Sequence, residues 1–321
     1  MHLTKLSPTT HDVGGIPVTR LLPRARHRTI GAWCFLDHAG PATFEASNPG
    51  MQVGAHPHTN LQTFTWMLAG EVLHRDSLGS VQRIRPGQVN LMTAGTGEQH
   101  GICHTEQTPE DVHDLHAVQL WIALPMNRQI EPSFHHYPEL PHWSHDGVHY
   151  TLVTGTYQGH TAPTLQYSPL VGVDVRVDSM LQPDAAQPQS GGPAQPASSA
   201  CARTLTLAPQ PSFEYGVLVL KGSVTIDNAT FGPDELAKLI PDGADPVHIH
   251  AAPGSHFMLL GGEPLPHPTL VWWNFIANTP QALQQAVTDW NSGHPRFGSI
   301  DLSGTQLTRL QAPQMPGSRI R

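Results

Sequence analysis

The sequence predicts an all-β protein, and three observations carry that prediction. Glycine and proline number 29 and 31, or 60 of 321 residues. That is turn-rich, yet below the ~25–30% at which a chain becomes disordered. Charged residues make up only 13%, about half the usual share. Short apolar runs follow one another at close spacing with Gly/Pro signals between them, the pattern of a sandwich or barrel.

Taken in order, residues 16–22 form a short first strand and 30–38 a second, closed by the turn signal Gly40-Pro41. His38, beside that turn, reads as a structural histidine. Residues 61–68 alternate Leu61, Thr63, Thr65, Met67 against Gln62, Phe64, Trp66, Leu68. Both faces carry bulk, as in a core strand. Strands follow at 71–76, 81–85 and 88–92, with turns at 77–80 and Pro86-Gly87. Residues 118–124 close this half. Residues 125–141 are a proline-punctuated connector, and His135, His136 and His142 are expected on a surface loop.

Strands resume at 148–155 and 169–177. Residues 182–202, rich in Pro, Ala, Gln and Ser, cannot build a core and read as a flexible insertion holding an exposed Cys201. The β pattern returns at 215–220, 223–226, 257–264 and 270–275. A helix follows: Thr279 is a good N-cap with Pro280 at the first helical position. Leu283, Ala286, Val287 and Trp290 then form one apolar stripe.

Several function classes are disfavoured. Net charge is −8, and no Lys/Arg stripe suggests nucleic acid. The modest basic cluster at 20–28 reads as a solvated loop. Cys34, Cys103 and Cys201 are odd in number and widely spaced, so a disulfide framework is not expected and a reducing cytoplasm is the default. Residues 1–22 hold no signal-peptide-like apolar run, and no window approaches the ~18 apolar residues of a membrane span. No Gly-x-Ser-x-Gly elbow or phosphate-binding glycine loop stands out.

The chemistry concentrates between residues 50 and 106. His56-Pro57-His58 places two imidazoles on one face of a strand, about 6.6 Å apart along it, so both can reach one metal ion. A second cluster lies at Glu98-Gln99-His100-Gly101-Ile102-Cys103-His104-Thr105-Glu106. His104 and Glu106 repeat the same-face spacing, and His100 with Glu98 is the rival pair. Three nitrogens and one oxygen suit iron, manganese, copper, nickel or zinc. His248/His250 repeats the His-x-His pattern but lacks a Gly-rich return carrying His and Glu. With 22 histidines in the chain, such a pair alone decides little.

Over nearly its whole length the chain resembles the pirin family. The resemblance lies in residues 31–41, with Leu36-Asp37-His38-Ala39-Gly40-Pro41, and in His56-Pro57-His58. It continues through Gly70-Glu71, His74-Arg75-Asp76-Ser77-Leu78-Gly79, Met92-Thr93-Ala94-Gly95 and Gln119-Leu120-Trp121. Leu260-Gly261-Gly262-Glu263-Pro264 and Trp272-Trp273-Asn274-Phe275 extend it to the C-terminal half. The resemblance implies two cupin barrels (double-stranded β-helix, or jelly-roll) in one chain with a short C-terminal helix. The N-terminal domain, 1–140, would bind metal. The C-terminal domain, 141–321, would be metal-free and carry the insertion near 182–202. Iron(II) is the implied cofactor, other divalent transition metals being admissible.

His56 and His58 carry over directly as ligands. Gly101-Ile102-Cys103-His104-Thr105-Glu106 matches the end of the family's next segment after a short insertion, which makes His104 and Glu106 the remaining ligands. An ungapped alignment substitutes His100. Gln62 stands where cupins often place a glutamate. Some family members resemble quercetin 2,3-dioxygenases, which cleave a flavonol with O2 and release carbon monoxide. Glu106 would then be catalytic as well, taking the proton of the 3-hydroxyl. Other members resemble non-enzymatic regulators, in which the oxidation state of iron controls docking to a transcription factor or metabolic enzyme. The expected partners are therefore a small aromatic, flavonol-like substrate with O2, or a protein, for a cytoplasmic monomer.

Overall fold

A computed structural model describes residues 1–25, 27–45, 47–179 and 202–316. The segment 182–202 lies outside the described residues except for Ala202, and with it Cys201. The architecture is all-β. Each half of the chain sets a seven-stranded sheet against a four-stranded one.

In the first half the larger sheet runs Ser133–Tyr137, Val89–Thr93, Leu61–Gly70, Asp114–Ala123, Trp33–Thr43, Ile16–Leu22, Thr9–Val13. The smaller runs Gln52–His58, Ile102–Gln107, Val72–Asp76, Val81–Ile84. The second half repeats the plan. Its larger sheet is His2–Leu6, Leu236–Ile240, Glu214–Lys221, His256–Gly262, Leu170–Val177, Val148–Thr154, His142–His145. Its smaller sheet is Arg203–Leu207, Val247–Ala251, Val224–Ile226, Ala229–Phe231.

Strand alternation explains why 61–68 is bulky on both faces. Phe64 and Trp66, with Val118, Leu120 and Ile122 of the neighbouring strand, join one core with Leu218, Leu220, Met258 and Leu260 of the second half. The two larger sheets therefore pack back to back. The alternate residues Thr63, Thr65, Gln119 and Trp121 line the first barrel's cavity instead. In the second half Val217, Val219, Phe257 and Leu259 take the inner face and meet the smaller sheet's Val224, Ile226 and Ile249.

Both ends of the chain cross between halves. His2–Leu6 pairs antiparallel with Leu236–Ile240. After His256–Gly262 the chain returns to the first barrel, where Ala55 bridges Arg309 and Thr59 bridges Phe275. A Cβ on Gly54 would lie 2.0 Å from the Thr308 carbonyl, so only glycine admits this close pass. The helix Pro280–Ser292 starts as expected, with Thr279 accepting the Ala282 N–H at 3.2 Å. Leu283, Ala286, Val287 and Trp290 are buried against Phe275 and Cys103. Among the described residues no helix is long and apolar enough to cross a membrane.

Three local expectations need correction. Residues 133–137 are a strand, paired with Val89–Thr93 and bearing His135 and His136, and His142 opens another strand, His142–His145. Both are outermost in their sheets, where flanking prolines are tolerated. Gly40-Pro41 does not end its strand. The pairing with Asp114–Ala123 shifts register between Leu115 and Ala117, and Gly40 at φ 80 absorbs that bulge. Finally, 270–275 is two short strands, Leu270–Trp272 and Phe275–Ala277, with Trp273 at φ 51 in the turn between them.

Candidate metal centre

The smaller sheet of the first barrel assembles the predicted residues by register. Ile102–Gln107 pairs with Gln52–His58 so that His104 lies opposite His56 and Ile102 opposite His58. Side chains at i and i+2 share a face, so His56, His58 and His104 converge, all buried. Ring centroids are 5.1 Å apart for His56/His58, 4.2 Å for His56/His104 and 4.9 Å for His58/His104. One ring nitrogen of each falls within 4.8 Å of the others. A bulge between His104 and Glu106 leaves the Glu106 carboxylate half-buried at the wall of the same cavity.

His100 is held elsewhere. Its Nδ1 lies 2.8 Å from the Thr96 carbonyl and its Nε2 3.0 Å from Glu131. His100 lies in the loop of residues 94–101, between Val89–Thr93 and Ile102–Gln107, ahead of the strand that bears His104 and Glu106. Glu98 is exposed on that loop. His248 and His250 are exposed on Val247–Ala251 and bond to Thr206 and Thr204. His38, as expected of a structural histidine, ties the barrels together through Asp234 at 2.6 Å and meets His116 of its own sheet at 2.8 Å. Gln62 is buried and donates to Thr93.

The electrostatics suit a cation. Burial pushes His56 down to about 4, offset in part by the Gly54 carbonyl 2.8 Å from its Nδ1. Burial, then the neighbouring imidazoles, holds His58 and His104 well below the ordinary range. The rings are thus neutral and able to offer lone pairs. Nε2 of His58 and Nε2 of His104 approach to 3.0 Å. Burial raises the Glu106 carboxyl to about 7, the penalty an adjacent positive ion would relieve. Two groups of donors within 4.8 Å share His104, one with His56 and His58 and the other with His74 and Glu106; imidazole and carboxylate donors of this kind suit a divalent transition metal.

Beside the cluster lies a cavity of about 360 Å³. Phe35 and Trp121 stack at 3.9 Å along one wall, and Trp121 meets the His58 ring edge-on at 5.1 Å. Arg20 lies 4.5 Å over Phe35 and grips Asp37 in a two-pronged ion pair at 2.8 and 2.7 Å. Burial nevertheless leaves the Asp37 carboxyl raised, with Arg20 opposing. Trp273, Asn274 and Leu310 of the returning C-terminal segment complete the wall.

Sequence reasoning gave no role to His74 or Asp76, though their own i, i+2 spacing was a visible signal. Both are buried, 3.0 Å apart, on Val72–Asp76. Burial would raise Asp76, but the hydrogen bonds from His74 and Ser80 outweigh it and hold the carboxyl below the usual range. Nothing in the sequence alone joined Arg20 to Asp37, whose contact spans two strands.

Paired antiparallel barrels, with a histidine cluster inside the first, define a bicupin. The chain belongs to the pirin family: the Pirin profile matches residues 15–122 and the Pirin C-terminal cupin domain profile residues 200–298. A Pseudomonas aeruginosa protein named "Putative quercetin 2,3-dioxygenase" is 47% identical over 304 residues, 94% of this chain and 87% of that one. A crystal structure of quercetin 2,3-dioxygenase from Acinetobacter baumannii aligns with TM-score 0.85 and 40% identity, covering 98% of this chain and 96% of that one. A bacterial pirin from Escherichia coli, solved in complex with nickel(II), has TM-score 0.58 at 17% identity, covering 82% of this chain and all (100%) of that one. That last likeness speaks for the fold alone.

Proposed function

We propose that this protein is a metal-dependent dioxygenase of the quercetin 2,3-dioxygenase type, cleaving a flavonol with O2 and releasing carbon monoxide. His56, His58, His104 and Glu106 hold the metal, iron(II) by preference. The observation that carries the reading is the cavity of about 360 Å³ against those four side chains, within the size range of small-molecule sites. A regulator that reads only the oxidation state of iron needs no such chamber. The relatives bearing the dioxygenase name support the same choice.

Iron(II), when bound, supplies the one-electron chemistry that lets dioxygen react with a closed-shell organic molecule. The rest falls to the chain. The apolar walls exclude water, and the flat Phe35/Trp121 stack orients a planar aromatic. Nη1 of Arg20 and Nε2 of Gln119 are left uncommitted, among the described residues, by the bonds to Asp37 and from Thr65. They meet oxygens on the substrate's rim. Glu106 takes the proton of the flavonol 3-hydroxyl onto a carboxylate oxygen. On this reading residues 1–140 form the catalytic unit. Residues 141–321 form a metal-free unit that supports it, the two exchanging their end segments.

The test is anaerobic loading with Fe(II), assay of bound metal, and exposure to quercetin and O2. Iron near one per chain with carbon monoxide evolved in step with quercetin loss is the expected result. Iron bound without carbon monoxide would overturn the enzyme reading in favour of the redox-responsive regulator.

A further inference from the structure

Behind the converging histidines runs a second file of buried polar groups. Asp76 and His74 share a face of Val72–Asp76, and the adjacent strand sets His104 opposite Asp76 and Glu106 opposite His74. Oδ1 of Asp76 accepts the backbone N–H groups of Leu78 and Ser80 at 2.9 and 3.1 Å. Its Oδ2 lies 3.0 Å from Nε2 of His74. Nδ1 of His74 lies 3.2 Å from Nδ1 of His104, and Nε2 of His104 faces the cluster. His74, Asp76 and His104 are 3%, 4% and 1% exposed. Phe134 stacks on the His74 ring at 4.5 Å and keeps it from turning.

The hydrogens along this file have one arrangement that leaves His104 open to a metal. A carboxylate only accepts, so Nε2 of His74 carries a hydrogen. A histidine that ligates through Nε2 holds its proton on Nδ1. Nδ1 of His74 is then the acceptor, and every polar atom in the file is paired. The reverse order puts a hydrogen on Nε2 of His104, aimed at His58, and closes the site.

We propose that Asp76 and His74 act together as the positioning element of the metal centre. They fix His104 as its Nδ1-protonated tautomer and extend the carboxylate's influence to the ion through two imidazoles in series. This rests on the reading of His104 as a ligand. A ligating histidine ordinarily meets its carboxylate or carbonyl partner directly, and such partners are worth about 10–100-fold in metal affinity. Here a second histidine is interposed, which keeps the charged group one ring further from the cavity.

The test uses zinc, a diamagnetic stand-in, on the full chain. Long-range proton–nitrogen spectra read the tautomers, and competition with a chelator reads affinity for the wild type, Asp76→Asn and His74→Phe. The expected wild-type spectrum has a proton on Nδ1 of His104 and on Nε2 alone of His74. Asn presents no charge, and Phe keeps the stacked ring but removes the acceptor. Each weakens zinc by about 10–100-fold with circular dichroism unchanged. Variants that bind zinc as tightly as the wild type overturn the proposal. So does a proton on Nδ1 of His74, a result that stands even where a variant fails to fold. Should the wild type itself take up no zinc, the metal-centre reading fails and the relay falls with it. Zinc bound equally by all three proteins removes the relay alone.

Discussion

Glu106 and His104 come from one strand, two residues apart, and reach the cavity on either side of a bulge. On the proposed reading that placement serves the carboxylate as ligand and as base. Replacing Glu106 with Gln keeps shape and oxygen but removes the base. Turnover of quercetin is expected to fall by about 10²–10⁴-fold while most of the iron is retained, as read by steady-state rates with metal assay. Unchanged turnover would remove the role. His100→Ala is expected to leave metal content at the wild-type level, because that side chain is engaged with Thr96 and Glu131; loss of metal would reinstate it. At this scale the sequence was half legible. His56 and His58 stand out only when their spacing is taken with the His/Glu cluster about 40 residues on. The choice between His100 and His104 depends on pairing that local sequence does not carry: the register sets His104 opposite His56 and leaves His100 on the preceding loop.

The C-terminal helix was readable from its cap and stripe because both signals are local. Thr279→Ala removes the acceptor for the Ala282 N–H and should cost about 1 kcal/mol. Trp290→Ala, emptying a site that is 1% exposed, should cost about 3–5 kcal/mol. Urea unfolding midpoints check both, and a Trp290→Ala loss no larger than that of Thr279→Ala would mean the helix is not docked as described. Edge strands were the elements the sequence hid. Ser133–Tyr137 sits between Pro132 and Pro138 and pairs on one side only, so its composition resembles a loop. His2–Leu6 was silent too, because its partner lies far along the chain, at Leu236–Ile240.

At the scale of the whole molecule, the back-to-back packing of the two larger sheets explains the double-sided bulk of residues 61–68. The sequence carried that signal without saying what covered the second face. The polar part of the interface joins His38, His116 and His256 with Asp174, Asp234 and Arg176. Burial, then the His38 and His256 rings, pushes His116 down to about 4. An unfolded histidine titrates near 6.5. Between those values the unfolded chain holds a proton that the folded one lacks, so stability falls as pH drops from about 6.5 towards 4. The buried His56, His58 and His104 add slope of the same sign in metal-free protein. Wild type and His116→Gln are therefore compared at equal metal content, and the variant's urea midpoint should fall less steeply; equal slopes would contradict the assignment.

The central claim is that one metal ion sits among His56, His58, His104 and Glu106, facing the cavity. Crystals of iron-loaded protein, with anomalous differences collected at the iron edge, test it most directly. The account predicts one peak bounded by those four side chains and open towards Phe35 and Trp121. A peak coordinated by His100, one on the far side of His104 beside His74, or none in this barrel would contradict it.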